Sequence, residues 1–322
     1  MPTLTLCPSY PPFLFGSPDP PLLQPVAAPV KIIDVLFAIA VPTIWGLGFT
    51  LAKFALAEFP PIMLIALRFS VTAVALIWFV RMPRRLLPRI FLVSVVSATI
   101  QYSLTYTGLD GLDASTAGIV VQLEVPFAAL IAAVFLKEHL GWRRALGMAM
   151  AFGGVALMCG EPKVQQSMLP VFFVMGGALT WAIGQVMVRA LGEVGGFTLI
   201  AWVAAMAAPQ LFLSSAVFES GQWEALRNAT WITWAAILYL GLIMNGIGYA
   251  MWYHLLGRYP VNQVMPYLLL VPVTTVVTGV VLLGEELTWI VAAGGLVVVA
   301  GIAFITVDLE RLFPVKSRAL RG

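Results

Sequence analysis

Long apolar runs alternate with short polar punctuation along this chain, and the runs outlast what the core of a soluble domain requires. They fall near residues 33–52, 61–80, 90–107, 114–136, 145–160, 168–190, 197–218, 230–254, 262–283 and 289–307. A bilayer core needs about 20 mostly apolar residues per spanning helix, so the pattern predicts ten transmembrane helices. The fifth run is short, and an internal repeat is what argues for it.

The repeat is visible in the residues. Trp45-Gly-Leu-Gly48, with Lys53 eight residues after the Trp, recurs as Trp181-Ala-Ile-Gly184, with Arg189 eight after. Glu138-His-Leu-Gly-Trp142 recurs as Glu285-Glu-Leu-Thr-Trp289, an offset of 147, and the same offset carries Tyr102 onto Tyr249, Tyr106 onto Tyr253, Gly147 onto Gly294 and Gly154 onto Gly301. Val125-Pro126 answers Val271-Pro272 with a shift of one residue. One shared offset is the mark of a duplicated unit. Five helices is an odd number, so the second unit must enter the membrane from the opposite side. The expected fold is therefore an all-α membrane protein, ten helices as two inverted five-helix repeats, the design of secondary transporters with a site near the midplane. The expected boundaries are a Pro-rich disordered tail over 1–30, a first repeat over 31–163, a second over 164–308 and a basic tail over 309–322.

Composition agrees. Hydrophobic residues make up 61% of the chain and charged ones 10%, against about 25% charged in soluble domains, and mean hydropathy is +0.96. The net charge of +3 is a matter of topology rather than nucleic-acid binding. Fourteen of the 18 Lys and Arg fall at one end of the expected spans, leaving Lys53, Lys163 and Arg227 at the other and Arg68 within a span. This bias places both termini in the cytoplasm of a cell (inner or plasma) membrane protein. The first thirty residues hold nine prolines and lack the basic start and apolar core of a signal peptide. Cys7 and Cys159 have no framework spacing.

Several segments resemble the drug/metabolite transporter superfamily, specifically its EamA-type members. They are Trp45-Gly-Leu-Gly-Phe49, Leu67-Arg68-Phe69, the Pro126 span ending Phe-Leu-Lys-Glu138, and Gly248-Tyr249 through Leu255-Leu256-Gly257-Arg258-Tyr259. The likeness continues through Leu270-Val271-Pro272 to Leu283-Gly284-Glu285-Glu286-Leu287. It covers about residues 33–307 and is nearest to O-acetylserine/cysteine exporters. It implies ten helices around a central cavity, the fifth and tenth peripheral, and export of amino acids or related metabolites. The chain departs from the family's Gly-Glu-Arg loop signature at Lys137-Glu138-His139 and Gly284-Glu285-Glu286. It also carries Glu124 where the nearest exporters have an uncharged amide.

Two charges lie inside expected spans: Arg68, eight residues into the second, and Glu124, eleven into the fourth. Both spans run inward from the same face, which puts the two at depths of about 10 and 15 Å, close enough to meet. Each costs about 2.5–3.5 kcal/mol at the membrane centre and so needs a partner or a wet cavity. One reading gives Glu124 a proton or a substrate ammonium and Arg68 a substrate carboxylate; the other is a structural ion pair between them. Trp45, Gln101, Tyr102, Trp181, Gln185, Asn245 and Tyr249 are further candidates. Amides and phenols can hydrogen-bond a zwitterion, and aromatic faces suit an ammonium, although membrane helices also use such residues as interhelical glue and interfacial belts. Gln101 and Tyr102 are neighbours and cannot both face one cavity fully. Pro42, Pro126, Pro209, Pro266 and Pro272 interrupt spans, and the equivalence of Pro126 and Pro272 makes them hinge candidates. Gly153-Gly154 and Gly294-Gly295 suit close helix packing, within the chain or between copies as a homodimer.

Other classes are poorly served. No Gly-x4-Gly-Lys-[Ser/Thr] loop is present, nor a Gly-x-Ser-x-Gly elbow. His139 and His254 lack ligand spacing, so no metal or other cofactor is expected. A membrane-embedded lipid enzyme would need clustered nucleophiles, acids or ligands. Drug, cation and nucleotide-sugar carriers share the architecture and stay open as alternatives.

Overall fold

The computed structural model describes residues 31–135, 141–165, 168–191, 194–256, 258–259 and 264–306. The expected tails, Lys137, Glu138, His139 and Gly257 lie outside the described residues, as do the side chains of Lys163, Arg189, Tyr253 and Pro266.

Among the described residues the long elements are all helical. They are α1 (Ile32–Leu56), α2 (Pro61–Phe79), α3 (Leu87–Asp110), α4 (114–135), α5 (Trp142–Met158), α6 (Met168–Ala190), α7 (Gly196–Phe218), α8 (231–256), α9 (265–283) and α10 (Trp289–Thr306). Eight are long and apolar enough to cross a membrane; α5, at 17 residues, and the apolar stretch Tyr267–Leu283 of α9 are shorter. Proline begins several of them, as at Pro61, where its missing N–H would have had no partner. Gly284 ends α9 at φ 66°, a left-handed turn open to glycine at little steric cost. Pro42 and Pro209 lie inside α1 and α7.

Four of the helices depart from regular α geometry in matching places, and α2 ends in a 3-10 turn, Ile77–Phe79. Within α3 a π segment, Val95–Ile100, precedes Tyr102; within α8 a π segment, Tyr239–Gly248, precedes Tyr249. In α4 a 3-10 turn, Val121–Leu123, precedes Glu124-Val-Pro126; in α9 a 3-10 stretch, Met265–Leu269, precedes Leu270-Val-Pro272. Each proline is the third residue of the α segment that follows. Residues at offset 147, or 146 for the prolines, thus carry the same local distortion. Such mid-helix departures commonly mark functional positions or hinges.

The packing is reciprocal as well. Helix α5 lies along α10, and a Cβ on Gly147 would sit 2.6 Å from the carbonyl oxygen of Gly301, while one on Gly154 would sit 2.6 Å from that of Gly294. Gly147 corresponds to Gly294 and Gly154 to Gly301, so each glycine meets the counterpart of the other. Likewise Gly48 of α1 abuts Met244 in the π segment of α8, and Gly184 of α6 abuts Ser97 in that of α3. The glycines expected to serve close packing therefore do so within the chain; only at Gly153 does a Cβ meet open space.

Hydrogen bonds separate two ends of the bundle. One, the acidic end, carries residues 53–61, 109–115, 161, 219–230 and 284–288; the other, the basic end, carries Lys31, Arg81, Arg84, Arg85, Arg89, Arg143, Arg144 and Arg258. At the acidic end α2 starts after Pro60, which has no side-chain acceptor, and Glu219 accepts from the N–H groups of Ile62 (2.6 Å) and Met63 (3.0 Å) instead. Asp113 does not cap α4. Glu285 does so from the loop after α9, accepting from the N–H of Ala114 (2.5 Å), the N–H of Ser115 (3.0 Å) and the Ser115 hydroxyl. Orphan N–H groups at a helix start attract a carboxylate for both hydrogen-bonding and dipole reasons.

Candidate functional site

In the middle of the bundle, α2, α3 and α8 converge on Arg68, whose side chain is 0% exposed. Its Nη1 donates to the Tyr106 hydroxyl at 2.7 Å and its Nη2 to Asn245 Oδ1 at 2.5 Å. The guanidinium carbon sits 4.8 Å from the Tyr102 ring centroid and 5.8 Å from those of Phe69 and Tyr106, within the range in which a ring face attracts a cation. Asn245 is fixed in turn: its Nδ2 donates to Thr72 Oγ1 at 3.0 Å, and Thr72 donates to the carbonyls of Arg68 and Gly241. That second carbonyl lies in the π segment of α8. Phe69 meets Tyr102 edge to face at 5.2 Å.

Every acceptor bonded to this buried cation is neutral. Among the described residues no carboxylate comes within ion-pair distance of Arg68, and its Nε has no hydrogen-bond partner. The Arg68–Glu124 ion pair, one of the two readings of these charges, is therefore not formed. Arg68 is drawn toward the phenol and amide of α3 and α8, whereas Glu124 begins the α segment after the 3-10 turn of α4 and has no hydrogen bond or ion pair among the described residues. Beside the cluster, the Trp45 ring lies tilted against Tyr249 at 5.1 Å and Trp252 at 6.0 Å, and its buried Nε1 has no partner among the described residues. Such an arrangement can receive an anion. A carboxylate reaching Arg68 would find an unused guanidinium donor in a low-dielectric setting, where charge-assisted hydrogen bonds are strongest.

Comparison with known proteins bears on the class. The model of the EamA-like transporter family matches residues 32–160 and again 168–307. The chain belongs to that family. It is thus a multi-pass transport protein of a membrane, as its apolar helices require. A "Probable amino-acid metabolite efflux pump" of Salmonella typhimurium is 29% identical over 278 residues, covering 84% of this chain and 93% of that protein. The protein of the same name from Escherichia coli is 27% identical with the same coverage. A "Probable terminal-alkyne amino-acid exporter" of Streptantibioticus cattleyicolor is 27% identical, covering 86% of this chain and 94% of its own. A solved crystal structure superposes with a TM-score of 0.60 at 19% identity, covering 88% of this chain and the whole of that one, which speaks to the fold alone.

Within this EamA-like frame the candidates divide. Arg68, Tyr102 and Asn245 come together, with Trp45 and Tyr249 as an adjoining aromatic pair. Gln101 turns away toward α6: its Nε2 donates to Thr105 at 3.3 Å, at the spot where Gly177 approaches, and its buried Oε1 is unpartnered. Trp181 and Gln185 are half-buried on α6 and make no hydrogen bond or ring contact among the described residues. Pro126 and Pro272 are buried beside their 3-10 turns. The sequence reading passed over Tyr106, Phe69 and Thr72 as site residues. Helical spacing offered the signal, since Tyr106 is four after Tyr102 and Thr72 four after Arg68. No group of three or more His, Cys, Asp or Glu suited to a metal ion occurs among the described residues.

Proposed function

We propose that this protein is a secondary carrier that exports amino acids or closely related metabolites, the substrate carboxylate docking on Arg68. The observation that carries the reading is a fully buried guanidinium with neutral partners only among the described residues. A buried charge without a counter-charge is costly, and a carboxylate cargo supplies that counter-charge. The names of the relatives support the amino-acid class. Family matches over two stretches, the matched π and 3-10 distortions and the reciprocal glycine contacts support two inverted five-helix repeats. In this reading α5 and α9 cross the membrane with the other eight, the basic end is cytoplasmic, and the halves alternate access around the site.

Equilibrium binding of an amino acid and of its methyl ester to purified protein tests the docking. The acid binds better than the ester, and Arg68→Gln weakens the acid about tenfold to a hundredfold, the value of one buried charge-assisted hydrogen bond, while leaving the ester unchanged. Equal binding of acid and ester by the unaltered protein would overturn the reading. Glu124, half-buried and without a bonded partner among the described residues, is the proposed proton carrier. Glu124→Gln abolishes the dependence of flux on a pH gradient in proteoliposomes; gradient-driven flux that survives unchanged rules the residue out.

A further inference from the structure

At the basic end the first turn of α1 holds a carboxylate where an apolar residue would be expected. Asp34 is 0% exposed, the third residue of a helix that carries no other charge until Lys53. Its side-chain partners among the described residues come from the end of α8 and the turn after it. His254 Nε2 lies 3.0 Å from Oδ1, the Tyr259 hydroxyl donates to Oδ2 at 2.7 Å, and Arg258 Nη1 lies 3.6 Å from Oδ2. The Lys31 N–H donates to the Tyr259 hydroxyl at 3.3 Å, and Phe37 packs edge-on to the His254 ring at 5.5 Å. The hydrogen bond to Asp34 holds the Tyr259 phenol above its ordinary titration range, which keeps it a donor. His254 and Arg258 are 34% and 51% exposed, so the cluster has a buried centre and a wet rim.

Among the described residues the counterpart contact has none of this chemistry. There the start of α6 meets the end of α3 through Pro170, Gly108 and Gly111. The polar cluster is therefore an addition to one end only. Directly beneath it lies an apolar layer of Ala38, Val41, Trp252, Leu255 and Val264, against which Trp45 and Tyr249 pack. Those two aromatics adjoin the Arg68 cluster. From Asp34 to Trp45 is about 16 Å along α1.

We infer that Asp34, with His254, Arg258 and Tyr259, is a releasable latch that closes the basic-end route to the Arg68 site. Side-chain ties of this kind can part as a group, because each partner has solvent or the turn itself as an alternative. A carrier loading at this end must break the latch, so the inference rests on the alternating-access reading above and assigns it a gate.

The test reads access directly rather than transport. Val41→Cys is introduced with Cys7→Ser and Cys159→Ser, and labelling by a membrane-impermeant maleimide is timed for the full-length protein in lipid nanodiscs. Ala38→Cys, one turn nearer the latch, serves as a second reporter. Asp34→Asn raises the labelling rate on the order of tenfold, a modest shift of a closed–open equilibrium, and His254→Asn with Tyr259→Phe reproduces the rise. A cysteine at Leu211, buried in α7, stays slow. Rates within twofold of the parent at both reporters overturn the latch, and so does a parallel rise at Leu211, which would signal general loosening. Faster labelling in a protein that shows no amino-acid binding would uphold the gate while sinking the cargo assignment.

Discussion

The two ends of the bundle join the same halves by different chemistry. At the acidic end, carboxylates of one half accept from backbone N–H groups of the other: Glu219 and Glu285 at the starts of α2 and α4, and Glu58 at Thr230. Thr288 adds a hydrogen bond to Glu161. At the basic end the main polar tie is Asp34, and its partners are all side chains. A helix N-terminus cannot turn away from its acceptor, and its orphan donors would be left bare if it did. Side chains can rotate to water. The comparison teaches that one end is built as a fixed brace and the other as a joint that can open.

The largest effect belongs to the brace. Glu285→Ala leaves the Ala114 and Ser115 N–H groups and the Ser115 hydroxyl of α4 without their acceptor. A charge-assisted helix cap of this kind contributes about 2 kcal/mol. Thermal unfolding in detergent should show the loss, with Glu285→Gln intermediate because one acceptor oxygen survives. An unchanged midpoint for Glu285→Ala would mean that water or Asp113 replaces the cap, and the contrast between fixed and releasable ends would fall.

That cap also shows what could be read from the chain. Apolar runs located each long helix of the described residues to within a few residues, because a bilayer demands length and apolarity and little else. The repeat offset was legible too: 147 sets Tyr102 against Tyr249, and one residue less sets Pro126 against Pro272. What stayed hidden was the consequence of those matches. Nothing in Val95–Ile100 or in Tyr239–Gly248 announces a π segment, since the choice between hydrogen-bond ladders is settled by neighbouring helices. The partners of Arg68 were hidden for a related reason. Depth in the bilayer allowed an ion pair with Glu124, yet rotation about the helix axis, which depth does not fix, decides which neighbour a side chain meets. Glu285 was visible as a motif residue, but its role at α4, some 170 positions earlier in the chain, needed the fold. The Asp34 cluster spans 220 positions or more and depends on helices from both halves.

The smallest effect tests the brace where it is most exposed to solvent. Glu58 accepts from the Thr230 N–H at 2.7 Å and from the Thr230 hydroxyl at 2.8 Å. The hydrogen bond from the Thr230 backbone, and then that from its hydroxyl, hold the Glu58 carboxyl below the usual carboxylate range. A carboxyl lowered on folding stabilises the folded state at pH values above its unfolded value, about 4.3, and that contribution is lost as pH falls through the lower folded value. The difference in thermal midpoint between the unaltered protein and Glu58→Gln should therefore be small and constant from pH 7 to about 5, and close below about pH 4. The remaining carboxylates are the same in both proteins, so they cancel from the difference. A gap that does not narrow on acidification would show that the Glu58 tie acts through packing rather than charge, and this part of the brace would then resemble the joint at the other end.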